Sequence, residues 1–154
     1  MSYEQLKLEN QICFPLYAAS RLITRAYQDD LDALGITYPQ YLVLMVLWEF
    51  EELTVNEIAE KLILNTNTVT PLLKRMETQL ILIRVQSKTD QRKIIISLTE
   101  KGKNMQISAA EIPFRLVNKL NSSGNEIKIE EALELKSRLY KLIHLLESSE
   151  RKRT

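Results

Sequence analysis

Cys13 is the only thiol among the 154 residues, and Tyr17 stands four positions beyond it. A thiol does redox chemistry through its thiolate, which needs hydrogen-bond donors, a cation or a helix N-terminus nearby. No Lys or Arg lies within four residues of Cys13 on either side, so tyrosine hydroxyls are the available donors. Tyr17 is one helical turn away. Tyr27 is fourteen residues on, about 21 Å along a straight helix. One chain cannot bring Tyr27 to Cys13, whereas an antiparallel neighbour can. The other reading of these residues is packing: a lone Cys on an amphipathic helix serves equally as a small buried hydrophobe. With one Cys there is no intrachain disulfide and no zinc site built from several thiolates. His144 is the only histidine. There is no Gly-rich phosphate loop, no Ser-His-Asp set and no metal-ligand spacing, so neither a cofactor nor a catalytic site is expected.

A second group of residues suits phosphate and base contacts. The net charge is only +1, but it is unevenly spread. Residues 1–64 carry four basic and ten acidic groups, a net of −6. Residues 65–93 carry six basic and two acidic groups, a net of +4, and residues 94–154 a net of +3. Within the basic stretch, Asn65, Thr66, Asn67 and Thr68 open a helix, with Thr70 and Pro71 in its next turn. Short polar side chains there can reach base edges, while Lys74 and Arg75 suit phosphates. Arg84, Lys88 and Lys93 add positive charge downstream. Asp90 and Arg92, two apart in a turn, can share a side, so that the carboxylate holds the arginine extended toward a narrow groove. The bland counterparts are a solvated basic patch, a helix whose threonines merely cap it, and a surface ion pair worth little.

The elements that must position these groups follow from periodicity. Three glycines and four prolines punctuate the chain, which favours helices. Ile12, Leu16, Ala19, Ile23, Ala26 and Tyr27 predict one long amphipathic helix, with Gly35 a stop beyond it. Tyr38-Pro39 opens a second helix, whose 42–48 run is apolar nearly all round and therefore buried. A short helix over 56–62 and a second over 66–79, joined by Ile63-Leu64, have the layout of a helix-turn-helix. Asn65 or Thr66 is expected to cap the second. Two β-branched runs, 81–86 and 93–98, flank a polar tip and predict a hairpin. A helix from Thr99 to about Leu120 should kink or divide at Pro113. A turn at 121–125, a last helix from Ile127 to about Leu146 and a frayed basic tail complete the chain.

The resulting fold class is mainly α with a small β-hairpin wing: a winged helix-turn-helix flanked by a helical dimerisation region. The lobe that binds DNA spans about 38–99, and the dimerisation region 1–35 and 103–148, within a single domain of 1–154. Two-fold symmetry would present two recognition helices to successive major grooves of a pseudo-palindromic operator in double-stranded DNA.

The order of elements resembles the MarR family of transcriptional regulators over nearly the whole chain. The residues that carry the resemblance are Leu53-Thr54-Val55, the stretch from Thr68 to Glu77, Asp90-Gln91-Arg92 and the stretch from Ile96 to Gly102. A narrower similarity, to the organic-hydroperoxide-sensing OhrR branch, lies in residues 8–14, Tyr17, Tyr27 and 37–41. That resemblance implies a repressor whose sensing cluster is Cys13, Tyr17, Tyr27 and Tyr38, with Tyr27 and Tyr38 supplied by the other subunit of a homodimer. It implies oxidation of Cys13 by organic hydroperoxide or another thiol-reactive signal, and with no second Cys resolution needs an external low-molecular-weight thiol. It also places Arg92 in the minor groove. Leu80 departs from the family, which usually has glycine there; a branched residue is uncomfortable in a left-handed cap, so the turn should be strained or built differently. Val85 and Gln86 replace wing positions that are often basic. Pro15 either starts the main helix or kinks a longer one.

Three rivals remain on the sequence. One is a MarR-type regulator answering to a non-covalent small molecule, with Cys13 inert. Another is a thiol peroxidase, which lacks a nearby Arg or His to polarise peroxide. The last is a winged helix that binds only protein. No apolar run is long enough to span a membrane and no signal peptide opens the chain, so no membrane partner and a cytoplasmic, reducing address are expected.

Overall fold

The computed structural model describes residues 3–121 and 128–151. The chain forms two compact units, the first ending at Ile112 and the second beginning at Pro113.

In the first unit, two single turns of 3-10 helix (Glu4–Leu6, Leu8–Asn10) precede α1 (Cys13–Ala26), α2 (Gln28–Leu34) and α3 (Tyr38–Phe50). Then come β1 (Glu52–Thr54), α4 (Val55–Lys61), α5 (Thr66–Thr78), β2 (Leu82–Gln86), β3 (Ile94–Leu98) and α6 (Glu100–Ala109). The strands form an antiparallel sheet in the order β1-β3-β2, with Leu53 opposite Ile96 and Arg84 opposite Ile96 from the other side. The core is built where the apolar periods meet. α3 supplies Tyr41, Val43, Leu44 and Leu47; α4 supplies Ile58 and Ala59; α5 supplies Val69, Leu73 and Met76. Leu82, Ile96 and Leu98 close it from the sheet. Spacings of three and four on α5 place its buried residues on one face and leave Asn65 to Thr68 exposed on the other.

Three helices end in the same way. Gly35 (φ +67°), Ile63 (φ +54°) and Leu80 (φ +58°) adopt the left-handed region. Each donates its N–H to the carbonyl three residues back: Gly35 to Asp32 (3.0 Å), Ile63 to Glu60 (3.1 Å) and Leu80 to Glu77 (2.9 Å). The following N–H reaches five residues back, from Ile36 to Leu31 (3.0 Å), Leu64 to Ala59 (2.9 Å) and Ile81 to Met76 (3.0 Å). This cap satisfies the last carbonyls of a helix and favours glycine. Leu80 therefore keeps the cap geometry expected of glycine, and bears the strain.

Several sequence expectations need correcting. The first helix is not continuous: α1 stops at Ala26 and α2 restarts at Gln28. The break turns the chain so that Leu31 and the Tyr27 ring face the core, whereas α1 buries no residue in the single chain. Leu53-Thr54 is not merely a lead into α4 but part of a third strand. Asn65 stands at the N-cap of α5, yet its side chain makes no capping bond. Cys13 is the first residue of α1, so Pro15 lies in the opening turn and kinks nothing.

The second unit holds α7 (Ile112–Asn121) from its second residue onward and, as a separate helix, α8 (Ile129–Arg151). The expected division at Pro113 is present, since α6 ends at Ala109 and α7 starts at Ile112. α8 runs five residues past Leu146. Along it Ile129, Leu133, Leu135, Leu145 and Leu146 are exposed. Residues 122–127 and 152–154, which include most of the expected turn, Ile127 and the end of the basic tail, lie outside the described residues. No single helix among the described residues is long and apolar enough to cross a membrane.

Candidate nucleic-acid interface and thiol site

The start of α5, the start of α4 and the hairpin surround one groove of about 420 Å³. Thr66 and Thr70 line one wall, and Arg92 and Lys93 the other. Glu57 lies in the same groove, but its charge is committed: Oε2 accepts from the Thr54 N–H and hydroxyl, both at 2.7 Å. These bonds, from the hydroxyl first and the backbone second, hold the Glu57 carboxyl below its usual range. The pair forms the N-terminal capping box of α4.

The hairpin tip is built around Asp90. Its Oδ1 accepts from the Arg92 N–H at 3.1 Å and from Arg92 Nε at 3.2 Å. Ser87 Oγ accepts from the Thr89 and Asp90 N–H groups, each at 3.3 Å. The Arg92 side chain is thereby held at its base and remains 91% exposed. Lys88 and Lys93 are exposed beside it, and so are Lys74, Arg75, Asn67, Thr68 and Pro71 on α5. Arg84 differs from the other basic residues. Its side chain is 13% exposed, Nη1 lies 3.3 Å from Glu77 Oε2, and its buried Nε has no partner in the protein. It forms the floor of the groove rather than an outward contact. Arg75 faces another depression, beside Thr37, Gln40 and Gln79.

Cys13 is exposed. One turn along, Tyr17 is also exposed, and its hydroxyl accepts from Arg21 Nη1 at 2.7 Å. Tyr27 and Tyr38 meet elsewhere, with ring centroids 5.3 Å apart, and Tyr41 joins them at 6.0 and 6.5 Å. Burial raises the hydroxyl pKa of all three. They therefore stay protonated, as donors, throughout the physiological range.

Residues 25–108 match the family model described as transcriptional regulator SarA/Rot. Over 144 residues the chain is 46% identical to the organic hydroperoxide resistance transcriptional regulator of Bacillus subtilis, spanning 94% of this chain and 95% of that one. The chain belongs to the MarR family of transcriptional regulators. Within that family it falls in the OhrR branch. This MarR-family regulator is also similar to AbfR of Staphylococcus epidermidis. Reduced AbfR bound to DNA is 38% identical, with a TM-score of 0.77 and coverage of 96% of this chain and 98% of that one. Disulfide-formed AbfR is 39% identical, with a TM-score of 0.62 and coverage of 91% and 95%. Like these relatives, the regulator is a DNA-binding protein with a winged helix-turn-helix, and its partner is double-stranded DNA.

Sequence reasoning gave no role to four residues that bond or pack against Tyr17, the tyrosine cluster and the end of the reader helix. Arg21 was legible as the i+4 partner of Tyr17. Tyr41 was legible as the i+3 neighbour of Tyr38. Gln40 follows Thr37 by three, a capping-box spacing. Gln79, thirty-nine residues from Gln40, left no local signal.

Proposed function

We propose that this regulator is a homodimeric repressor that holds a pseudo-palindromic operator while Cys13 is reduced, and releases it when an organic hydroperoxide oxidises Cys13. The observation that carries the reading is an exposed lone thiol in the opening turn of α1, in a chain 46% identical to an organic hydroperoxide resistance regulator. Supporting it, AbfR has been captured in reduced, overoxidised and disulfide forms, the first two on DNA.

In the reaction, the Cys13 thiolate attacks the terminal oxygen of the hydroperoxide. An S–O bond forms, the O–O bond breaks, and the departing alkoxide takes a proton to become an alcohol. The sulfenic acid then condenses with a low-molecular-weight thiol, releasing water and leaving a mixed disulfide. Cys13 has no second thiol in its own chain, so resolution comes from outside.

The exposed apolar side chains of α1 (Ile12, Phe14, Leu22 and Ile23) and, separately, those of α8 are the surfaces a second copy covers. A partner's Tyr27 and Tyr38 then stand against Cys13 and Tyr17. For DNA, Asn65, Thr66, Asn67, Thr68, Thr70 and Pro71 read bases, Lys74, Arg75, Lys88 and Lys93 hold phosphates, and Arg92 enters the minor groove, braced by Asp90. Arg84 supports the groove from beneath. The protein does this without catalytic turnover, in a cytoplasm that keeps thiols reduced.

The test is operator binding, with the operator selected from random duplex DNA, before and after one equivalent of cumene hydroperoxide. Binding lost on oxidation by the wild type and retained by Cys13→Ser is the expected result. Specific binding that ignores peroxide refutes redox control and points to a non-covalent ligand; sustained peroxide consumption points to a peroxidase.

A further inference from the structure

The first turn of α3 faces two ways. Tyr38 and Tyr41 turn toward Tyr27, with centroids 5.3 and 6.0 Å from it. Gln40, between them in sequence, turns the other way. It is 5% exposed, the buried polar side chain of the core among the described residues. Both ends of its amide are used. Oε1 accepts from the Thr37 N–H at 2.9 Å, which fixes the side chain to the start of its own helix. Nε2 donates to Gln79 Oε1 at 2.8 Å.

Gln79 is the C-cap of α5, the recognition helix. Its carbonyl accepts from Lys101 Nζ at 2.9 Å, and the Thr99 hydroxyl donates to the next carbonyl, Leu80 O, at 2.8 Å. The end of the recognition helix is therefore tied on one side to α6 and on the other, through a single buried amide, to the turn that carries the tyrosines. Gln40 itself is largely withdrawn from solvent, so losing this acceptor costs its amide more than it would at an open surface.

We propose that the Gln40–Gln79 bond is the positioning link between the tyrosine cluster and the recognition helix: a shift of the first turn of α3, caused by modification of the Cys13 that the proposed dimer brings to it from the second copy, is delivered to the C-terminal end of α5. The inference rests on the redox reading given above. Gln40 and Gln79 touch neither thiol nor DNA in this role. They set how much the state of one site changes affinity at the other, which is a coupling free energy.

The measurement is a ratio. Operator Kd is determined for the reduced protein and for the Cys13 mixed disulfide made with cumene hydroperoxide and cysteine, its mass confirmed. Gln79→Met removes the acceptor from an exposed side chain and keeps its length. Gln79→Glu keeps an acceptor for the Gln40 amide. For Gln79→Met, reduced-state affinity should stay within about threefold of wild type while the oxidised-to-reduced Kd ratio shrinks by about tenfold, within the range of ordinary allosteric couplings. Gln79→Glu should restore the ratio. A merely structural role would move both affinities together and leave the ratio alone. If wild type is released by oxidation and Gln79→Met is released equally, the link is refuted while the redox reading stands. If Gln79→Met and Gln79→Glu lose coupling equally, the hydrogen bond is not the carrier and the inference is overturned. If wild type itself is not released, the redox reading falls and takes the link with it.

Discussion

Replacing Gly102 by alanine tests the packing at the corner where α5, the wing and α6 meet. Helix propensity alone says the change should help, by about 1 kcal/mol, because Gly102 lies in the first turn of α6. The structure says the opposite. A Cβ built on Gly102 would lie 2.2 Å from the Ile81 carbonyl oxygen and 3.1 Å from Leu98 Cδ2. The first obstacle is backbone and cannot swing aside. That oxygen already accepts from the Thr99 N–H at 3.1 Å and the Thr99 hydroxyl at 3.0 Å. To relieve the clash, α6 must move outward by about 1 Å, an overpacking cost of about 1–3 kcal/mol. The same movement stretches the 2.9 Å bond from Trp48 Nε1 to Gly102 O, worth about 0.5–1.5 kcal/mol. Set against the propensity gain, the net loss is about 0.5–3.5 kcal/mol. For a chain of this size each kcal/mol moves the melting temperature by about 2–4 °C, so Gly102→Ala should melt about 1–14 °C lower. The assay is thermal unfolding by circular dichroism at matched protein concentration, with Lys103→Ala, an exposed change on the same helix, as control. Trp48 is the only tryptophan, so a change in its emission reports the stretched bond directly. A variant that melts at or above wild type would refute the argument, because propensity would then have outweighed contact.

Leu80→Gly should be more stable than Leu80→Ala by about 0.5–1 kcal/mol, since glycine alone is at ease at φ +58° while both variants lose the same largely exposed side chain. Equal denaturant midpoints would show that the cap carries no strain. Glu57 gives a pH signature. Its folded pKa lies below the unfolded value, so its contribution is present above the unfolded pKa and is lost as pH falls through the folded one. Glu57→Gln keeps a capping side chain that does not titrate, and should therefore lose less stability than wild type on acidification; parallel losses would refute the assignment.

The reader elements were legible because their signals are local. Apolar residues at helical spacing on α5, β-branched runs around a polar tip, and Pro113 each act within a few residues of where they stand. The Asp90–Arg92 brace is of the same kind, two residues apart in one turn. What was hidden depends on distant partners. No proline or glycine marks the break at Tyr27; the helical pattern runs straight through it, and only the rings of Tyr38 and Tyr41 explain why the chain turns there. β1 is three residues long and exists because β3 has a free edge for it. The Gln40–Gln79 bond joins the first turn of one helix to the cap of another, with no pattern in common. Leu80 is the reverse case: local preference argued against a left-handed residue, and the Thr99 N–H and hydroxyl, donating to the Leu80 and Ile81 carbonyls, overrule it.

The left-handed residues at Ile63 and Leu80 bound the recognition helix on both sides. Each cap is a fixed count of residues, with bonds reaching three and five positions back. An α-helix turns 100° per residue. One residue added between the two caps would swing Thr66 and Thr70 off the groove, or force a cap to form one step away from the carbonyls it closes. At the two exposed cap positions, Ile63 and Leu80, a change of side chain should therefore cost less than a change of length anywhere between them. A change of length should be borne better in the wing tip outside the Asp90–Arg92 pair, because the tip closes on itself through the Ser87 N–H to Lys93 O bond and no helical phase depends on it.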